Sequence, residues 1–217
     1  KDFHGARWTN ATHRSTTDPE ARLYRKSAGQ EASLSFLGHQ LIDTASRVIL
    51  ATQATPATGT AEREAALAML DTLPGTILTP APPILAADTG YGASEFLAAV
   101  IARGVIPHIP LLADPALEPI PTWQRRTRHA HIQTQREKKV REARARNYVR
   151  SLAPTPAFTR SQRLRTRNEH LFAEAKEHHG LRRARHRGLR ALQEQLSLTA
   201  AVQNVKRLVT FLKKKTA

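Results

Sequence analysis

Ile84-Leu85-Ala86-Ala87-Asp88-Thr89-Gly90-Tyr91-Gly92 reads as a short buried strand that stops at a carboxylate and runs into a tight turn. Ser94 to Arg103 then carries a helical pattern that Gly104 ends, and Val105 to Ile109 is a second short apolar run. Strand, helix, strand in so little chain predicts an α/β arrangement. The segment before it fits the same class. Residues 32–39 and 47–53, the latter containing Arg47-Val48-Ile49-Leu50-Ala51, predict two strands joined by a short turn. Thr60 then caps a helix with Glu62 and Glu64 in its first turn, running to about Asp71. A Pro-rich loop with Pro74, Pro80, Pro82 and Pro83 separates the two halves of this α/β pattern, and residues 1–31 read as an irregular polar lead-in.

Beyond the second strand–helix–strand unit the composition changes. Pro110 to Pro121 is a proline-rich connector, after which Arg125 to Arg150 predicts a long basic helix. A break at Pro154-Thr155-Pro156 precedes a helix over Arg163 to Lys176, which Gly180 closes. A last helix runs from about Leu189 to Lys213, with Leu192, Leu196, Thr199, Val202, Val205 and Val209 on one face predicted to pack on the core. The net charge of +16 lies entirely in this second half: residues 122–217 carry 25 Lys/Arg against 6 Asp/Glu, while residues 1–121 carry 9 against 12. Such a field attracts a polyanion, and the basic helices lack the Trp/Phe-rich face of interfacial helices, so DNA or RNA is the expected partner and a membrane is not. The chain has no cysteine, which excludes disulfides and thiolate zinc sites, and it has neither a signal-peptide pattern nor a spanning apolar run. A soluble intracellular protein is expected. The start on Lys1, with Met69 the only methionine, reads as a piece of a longer chain.

Two carboxylates stand out. Asp88 follows an apolar strand, where open α/β sheets bind ligands, but a turn aspartate bonding its own backbone has the same local sequence. Glu169 lies between Arg165 and Lys176 on one stripe of the predicted helix, either as a metal ligand flanked by phosphate-gripping cations or as a surface ion pair. His129-x-His131 and His178-His179 lack an acid at ligand spacing and are expected in solvent. Trp123 and Tyr148 could stack on bases or pack their helix. No glycine-rich phosphate loop or Gly-x-Ser-x-Gly elbow is present, which leaves nucleotide hydrolysis and serine chemistry without support.

Taken together, Phe3-His4-Gly5, Ser15 to Leu23, Thr58-Gly59-Thr60-Ala61-Glu62-Arg63, Ala87-Asp88-Thr89-Gly90-Tyr91 and Leu181 to Leu189 resemble segments of bacterial insertion-sequence transposases of the Asp-Asp-Glu type. The family signature Tyr-x2-Arg-x3-Glu-x6-Lys falls on Gln162, Arg165, Glu169 and Lys176, matching three of four positions. The resemblance implies an RNase H-like mixed sheet flanked by helices. It divides the chain into residues 1–121 as the first part of the catalytic domain, 122–159 as a basic helical insertion, and 160–217 as the helices that complete it. It further implies Asp88 and Glu169 as catalytic carboxylates holding Mg²⁺ in a two-metal site, and Arg165, Lys176, Arg182, Arg183, Arg185 and Arg187 on DNA. The implied partners are transposon terminal inverted repeats and target DNA, with a homodimer bridging two ends, in the cytoplasm at the nucleoid. The family's first aspartate belongs to an Asp-Gly-Thr that this sequence does not contain, so the metal site is expected to be incomplete in this chain. Gln162 replaces the signature tyrosine, and Asn168 stands where an apolar residue would suit the helix. A catalytically dead, DNA-binding remnant and an RNase H-like nuclease are the alternative readings.

Overall fold

The structure is a computed structural model that describes residues 9–25, 29–75, 82–112, 123 and 125–216, with side chains through Lys213. Its elements form a mixed α/β architecture with an antiparallel and a parallel sheet flanked by helices, consistent with an RNase H-like fold carrying a long C-terminal helix. The chain divides into two compact units, residues 1–73 with 168–217, and residues 74–167.

The first unit is built on a three-stranded antiparallel sheet in the order β1 (Arg22–Tyr24), β2 (Ser33–Ile42), β3 (Ile49–Pro56). β2 and β3 are the two strands expected, each extended by about three residues, paired from Phe36↔Pro56 to Ile42↔Ile49 with an irregularity at Leu41/Ile42. β1 lies inside the segment expected to be irregular. It is three residues long and pairs with Ser33 to Ser35, and the Asn10 side chain brackets it, accepting from the Leu23 amide at 2.7 Å and donating to the Leu23 carbonyl at 3.0 Å. Helix α1 (Ala61–Asp71) buries Ala61, Ala65, Ala66, Met69 and Leu70. Thr60 occupies its N-cap position without making the side-chain bond that its identity suggested.

The long helix of this unit, Leu189–Thr216, covers β3, which would otherwise expose its backbone as a sheet edge. Two amide side chains eleven residues apart do this. Gln193 accepts from the Ala54 amide at 2.6 Å and donates to the Thr52 carbonyl at 3.2 Å. Asn204 accepts from the Ile49 amide at 2.8 Å and donates back to its carbonyl at 2.9 Å. Beside Gln193, Leu192 and Leu196 form an apolar cluster with Ala54. The helix buries Leu192, Leu196, Thr199, Ala200 and Gln203. The expected apolar face is therefore only half correct: Val202, Val205 and Val209 point away from the core and are exposed.

The second unit has the parallel pair β4 (Ile84–Ala86) and β5 (Ile106–His108), joined through α2 (Ser94–Ala102), whose Phe96, Leu97, Ala98 and Val100 are buried. Helix α3 (Ala130–Leu152) packs on α2 through Ala143, Ala145 and Val149. It starts at Ala130 rather than Arg125, and most of the proline-rich connector before it lies outside the described residues. Helix α4 (Pro156–Arg165) follows, started by Thr155, whose hydroxyl accepts from the Phe158 amide at 3.2 Å. Proline at the first position suits a helix start, because its missing N–H would be unsatisfied there anyway.

The helix predicted over Arg163 to Lys176 is two helices. α4 ends at Arg165, Thr166 to Asn168 form a 3-10 turn, and α5 (Glu169–His178) begins afresh, so the turn also marks the boundary between the units. One short polar side chain, that of Thr166, accompanies the break. The Thr166 hydroxyl donates to the Arg163 carbonyl at 2.9 Å, a local bond that competes with helix continuation, and Asn168 becomes the N-cap of α5. The long helix over the first unit is α6.

Candidate functional site

Each unit carries part of the sequence-predicted site. In the second unit Asp88 lies two residues beyond the end of β4, at the carboxyl end of the parallel pair. Its Oδ1 accepts from the Gly90 amide at 2.9 Å, capping the 3-10 turn Thr89–Tyr91. The turn role and the ligand role are compatible, because Oδ2 makes no hydrogen bond among the described residues and the side chain is exposed.

Gln162, at the position of the signature tyrosine, is the residue whose importance the sequence did not reveal. From α4 its Nε2 donates to the His108 carbonyl at 2.5 Å and to the Ala87 carbonyl at 3.4 Å, bridging the ends of β5 and β4 one residue before Asp88. Its Oε1 accepts from Nε of Arg165 at 3.3 Å. One amide thus ties the guanidinium-bearing turn of α4 to the strand end that carries the carboxylate. His108 fixes the same helix from below: its Nδ1 lies 2.8 Å from the Ser161 hydroxyl and its ring stacks near Phe158 at 5.2 Å. Burial pushes the His108 imidazole below its ordinary value, so it sits neutral in this packing.

In the first unit Glu169 is the first residue of α5, and its carboxylate is exposed at the positive end of that helix. Lys176 stands in the last turn. α5 is held on α6 by a cluster around Glu174, which accepts from Lys206 Nζ at 2.6 Å, Arg207 Nη2 at 2.8 Å and the buried Gln203 at 3.2 Å. Gln203 also donates to the Leu171 carbonyl at 2.9 Å. Burial would raise the Glu174 carboxyl, but the bonds from Lys206 and Gln203 and the two cationic charges outweigh it and hold it at about 2.

The arginine-rich loop 180–188 joins α5 to α6. Gly180 takes φ of 69°, and the Arg185 guanidinium lies against it, 3.0 Å from where a Cβ would be. Gln195 braces the loop by accepting from the Arg185 amide at 3.0 Å and donating to the Gly180 and Arg183 carbonyls. Arg182 pairs with Glu177, and Arg182, Arg183, Arg185 and Arg187 are all exposed. The loop's far end is pinned from the beginning of the chain: Asp18 accepts from the Gly188 amide at 3.3 Å and Glu20 from the Leu189 amide at 2.8 Å. These two carboxylates therefore cap α6.

His129, His131 and His178 are exposed, and His179 lies 3.7 Å from Glu174. Among the described residues no group of three or more His, Cys, Asp or Glu side chains is gathered to hold a metal. Asp88 and Glu169 each fit as a hard oxygen ligand, and Mg²⁺ is commonly held by one or two carboxylates with water and phosphate completing its shell. Trp123 and Tyr148 line a groove of about 770 Å³ in the second unit with Ile101 and Val140, and Lys139 Nζ lies 5.6 Å over the Trp123 ring. No helix of the described residues is long and apolar enough to cross a membrane.

A family model described as a transposase DDE domain matches residues 7–205. No curated protein and no solved structure matches the chain.

Proposed function

Because the chain belongs to the DDE-domain transposase family, we propose that it acts as an insertion-sequence transposase, binding transposon terminal inverted repeats and target DNA for strand cleavage and strand transfer. The observation that carries this reading is the Asp88–Gln162–Arg165 arrangement, a carboxylate at a strand end with a guanidinium tied to the same strand end by one amide. In it Asp88 and Glu169 are ligands of a divalent ion, Mg²⁺ by donor type. Such an ion would supply activation of a water or a DNA 3′-hydroxyl and charge stabilisation at the leaving oxygen. Arg165 offers its guanidinium to a phosphate beside Asp88, held in place by Gln162 so that little rotamer freedom is lost on binding. Lys176, Arg182, Arg183, Arg185 and Arg187 grip the backbone from the first unit, and residues 122–159, set between 1–121 and 160–217, lengthen the basic surface.

The test is Mg²⁺-dependent nicking of a DNA end by this chain supplied with an Asp-Gly-Thr strand ahead of Phe3, with Asp88→Asn and Glu169→Gln compared. Both variants should bind DNA and fail to nick; nicking retained in either removes that residue from the reaction. A second reading, a remnant that binds DNA without cutting, is favoured by Asn168, whose buried Oδ1 has no hydrogen-bond partner at the position just before Glu169. Resting on an absence seen among the described residues only, it predicts salt-sensitive DNA binding of this chain with no stabilisation by Mg²⁺.

A further inference from the structure

A cleft of about 460 Å³ lies in the first unit between the end of α5, the arginine loop and the first half of α6. His178 ends α5, His179 follows it and His186 lies in the loop, and all three line the cleft with Arg185. The Arg185 guanidinium is laid along Gly180, whose missing Cβ leaves room for it, and Gln195 braces the loop through the Arg185 amide and the Gly180 and Arg183 carbonyls. This cation is therefore placed before any ligand arrives. Leu198 and Val202 of α6 supply an apolar wall. A cationic cleft with a low-dielectric wall focuses its field on an anion.

The carboxylates around the histidines already have cations. Glu194, the one acid lining the cleft among the described residues, lies 3.3 Å from Arg190 Nε. Glu177 pairs with Arg182, and Glu174 is bonded by Lys206, Arg207 and Gln203. His179 Nε2 sits 3.5 Å from Lys206 Nζ and 3.7 Å from Glu174 Oε1, so its ring belongs to the packing of α5 on α6. His178 and His186 are exposed and share the cleft with Arg185. An anion entering the cleft thus meets one fixed guanidinium and two imidazoles that can each accept a proton.

We propose that this cleft is a proton-linked phosphate seat, in which Arg185, His178 and His186 hold a phosphodiester of DNA and the two imidazoles take up protons as it binds. Imidazole is the side chain whose ordinary titration lies between about pH 5 and pH 8, and a phosphate held against it favours the charged form. Linkage is reciprocal: an anion that binds better to the protonated rings draws protons in as it binds. Mild acid therefore tightens the grip, and each ring that meets a phosphate as a cation adds about 0.9 to the slope of log affinity against log salt. The inference rests on the reading that the loop 180–188 contacts DNA, and it makes that contact depend on pH through residues outside the arginine set.

Titration calorimetry of the full chain with a short DNA duplex, run at about pH 6.5 in buffers of different ionisation heat, counts the protons taken up on binding. The wild-type chain is expected to take up more than a chain carrying His178→Gln and His186→Gln together. From about pH 8 to about pH 6 its affinity should also rise by about fivefold more than the variant's, the size expected of two exposed ion pairs. His129, His131 and His170 are exposed away from the cleft and are common to both proteins, so protons they bind cancel in the comparison. Circular dichroism at each pH separates loss of fold from loss of binding. Equal proton uptake in the two proteins, or a wild-type affinity that does not rise in mild acid, overturns the proposal and leaves the DNA reading standing. Absence of DNA binding at every pH overturns both.

Discussion

His39 offers a pH experiment in which the structure sets both sign and size. It lies on β2, buried, with Nε2 2.8 Å from the Thr55 hydroxyl, and burial lowers its pKa to about 4. In the unfolded chain it titrates near 6.5. Between these values the unfolded state holds a proton that the folded state refuses, so the contribution is fully present above about pH 6.5 and is lost as pH falls towards 4. A shift from 6.5 to about 4 corresponds to roughly 3 kcal/mol in full, of which about 2 kcal/mol is lost between pH 7.5 and pH 5. For a chain of this size that amounts to a fall in melting temperature of roughly 4–8 °C. His39→Gln keeps a hydrogen-bonding group beside Thr55 and removes the titration. Thermal melts of both proteins at pH 7.5 and pH 5 should therefore show a smaller fall in the variant, by about that amount. Other groups, His108 included, act alike in both proteins and cancel. Equal falls in the two proteins would refute the argument and mean that His39 is protonated without cost in the fold.

Glu174→Gln should destabilise the first unit at pH 7 by about 1–2 kcal/mol, the full pKa displacement being discounted for partial exposure. The depressed carboxyl contributes above about pH 4.5 and loses its contribution as pH falls towards 2, so denaturation curves of the two proteins should converge in acid. Gln162→Ala leaves the Ala87 and His108 carbonyls without their donor and unties Arg165; we expect a loss of about 1–2 kcal/mol in the second unit. In the nicking assay its rate should fall while DNA affinity changes little, and an unchanged rate would reduce Gln162 to a packing residue. Replacing Arg182, Arg183, Arg185 and Arg187 together by alanine should flatten the plot of log affinity against log salt by about 0.9 for each phosphate contact removed. An unchanged slope takes the loop out of the DNA interface.

What the sequence disclosed depended on how local the cause was. β2, β3 and the β4–α2–β5 unit are driven by apolar runs bounded by turn formers, and they stand close to where those runs predict. β1 was invisible because Arg22-Leu23-Tyr24 has no pattern of its own and is set by Asn10 and by Ser33 to Ser35. The break at Thr166–Asn168 has no counterpart in the periodicity, because charge and leucine run straight across it while the Thr166 hydroxyl bonds back to the Arg163 carbonyl. The position of Asp88 after a strand is legible from the apolar run before it. The bridging work of Gln162 is not, since a glutamine replacing a tyrosine looks like loss until its two carbonyl partners, 54 and 75 residues away, are seen. Asp18 and Glu20 were legible only as polar lead-in, because the amides they cap lie some 170 residues downstream.

The division of the chain bears on how it is made. Residues 74–167 are one uninterrupted stretch and can collapse as soon as they leave the ribosome, whereas the first unit is discontinuous and needs residues 168–217 before β3 has its cover. Until α6 emerges, Ile49, Thr52 and Ala54 present bare backbone along an open strand, a template for pairing with another nascent chain. The late arrival of Gln193 and Asn204 thus closes a window of aggregation risk, and a chain stopped before residue 193 would be trapped inside it.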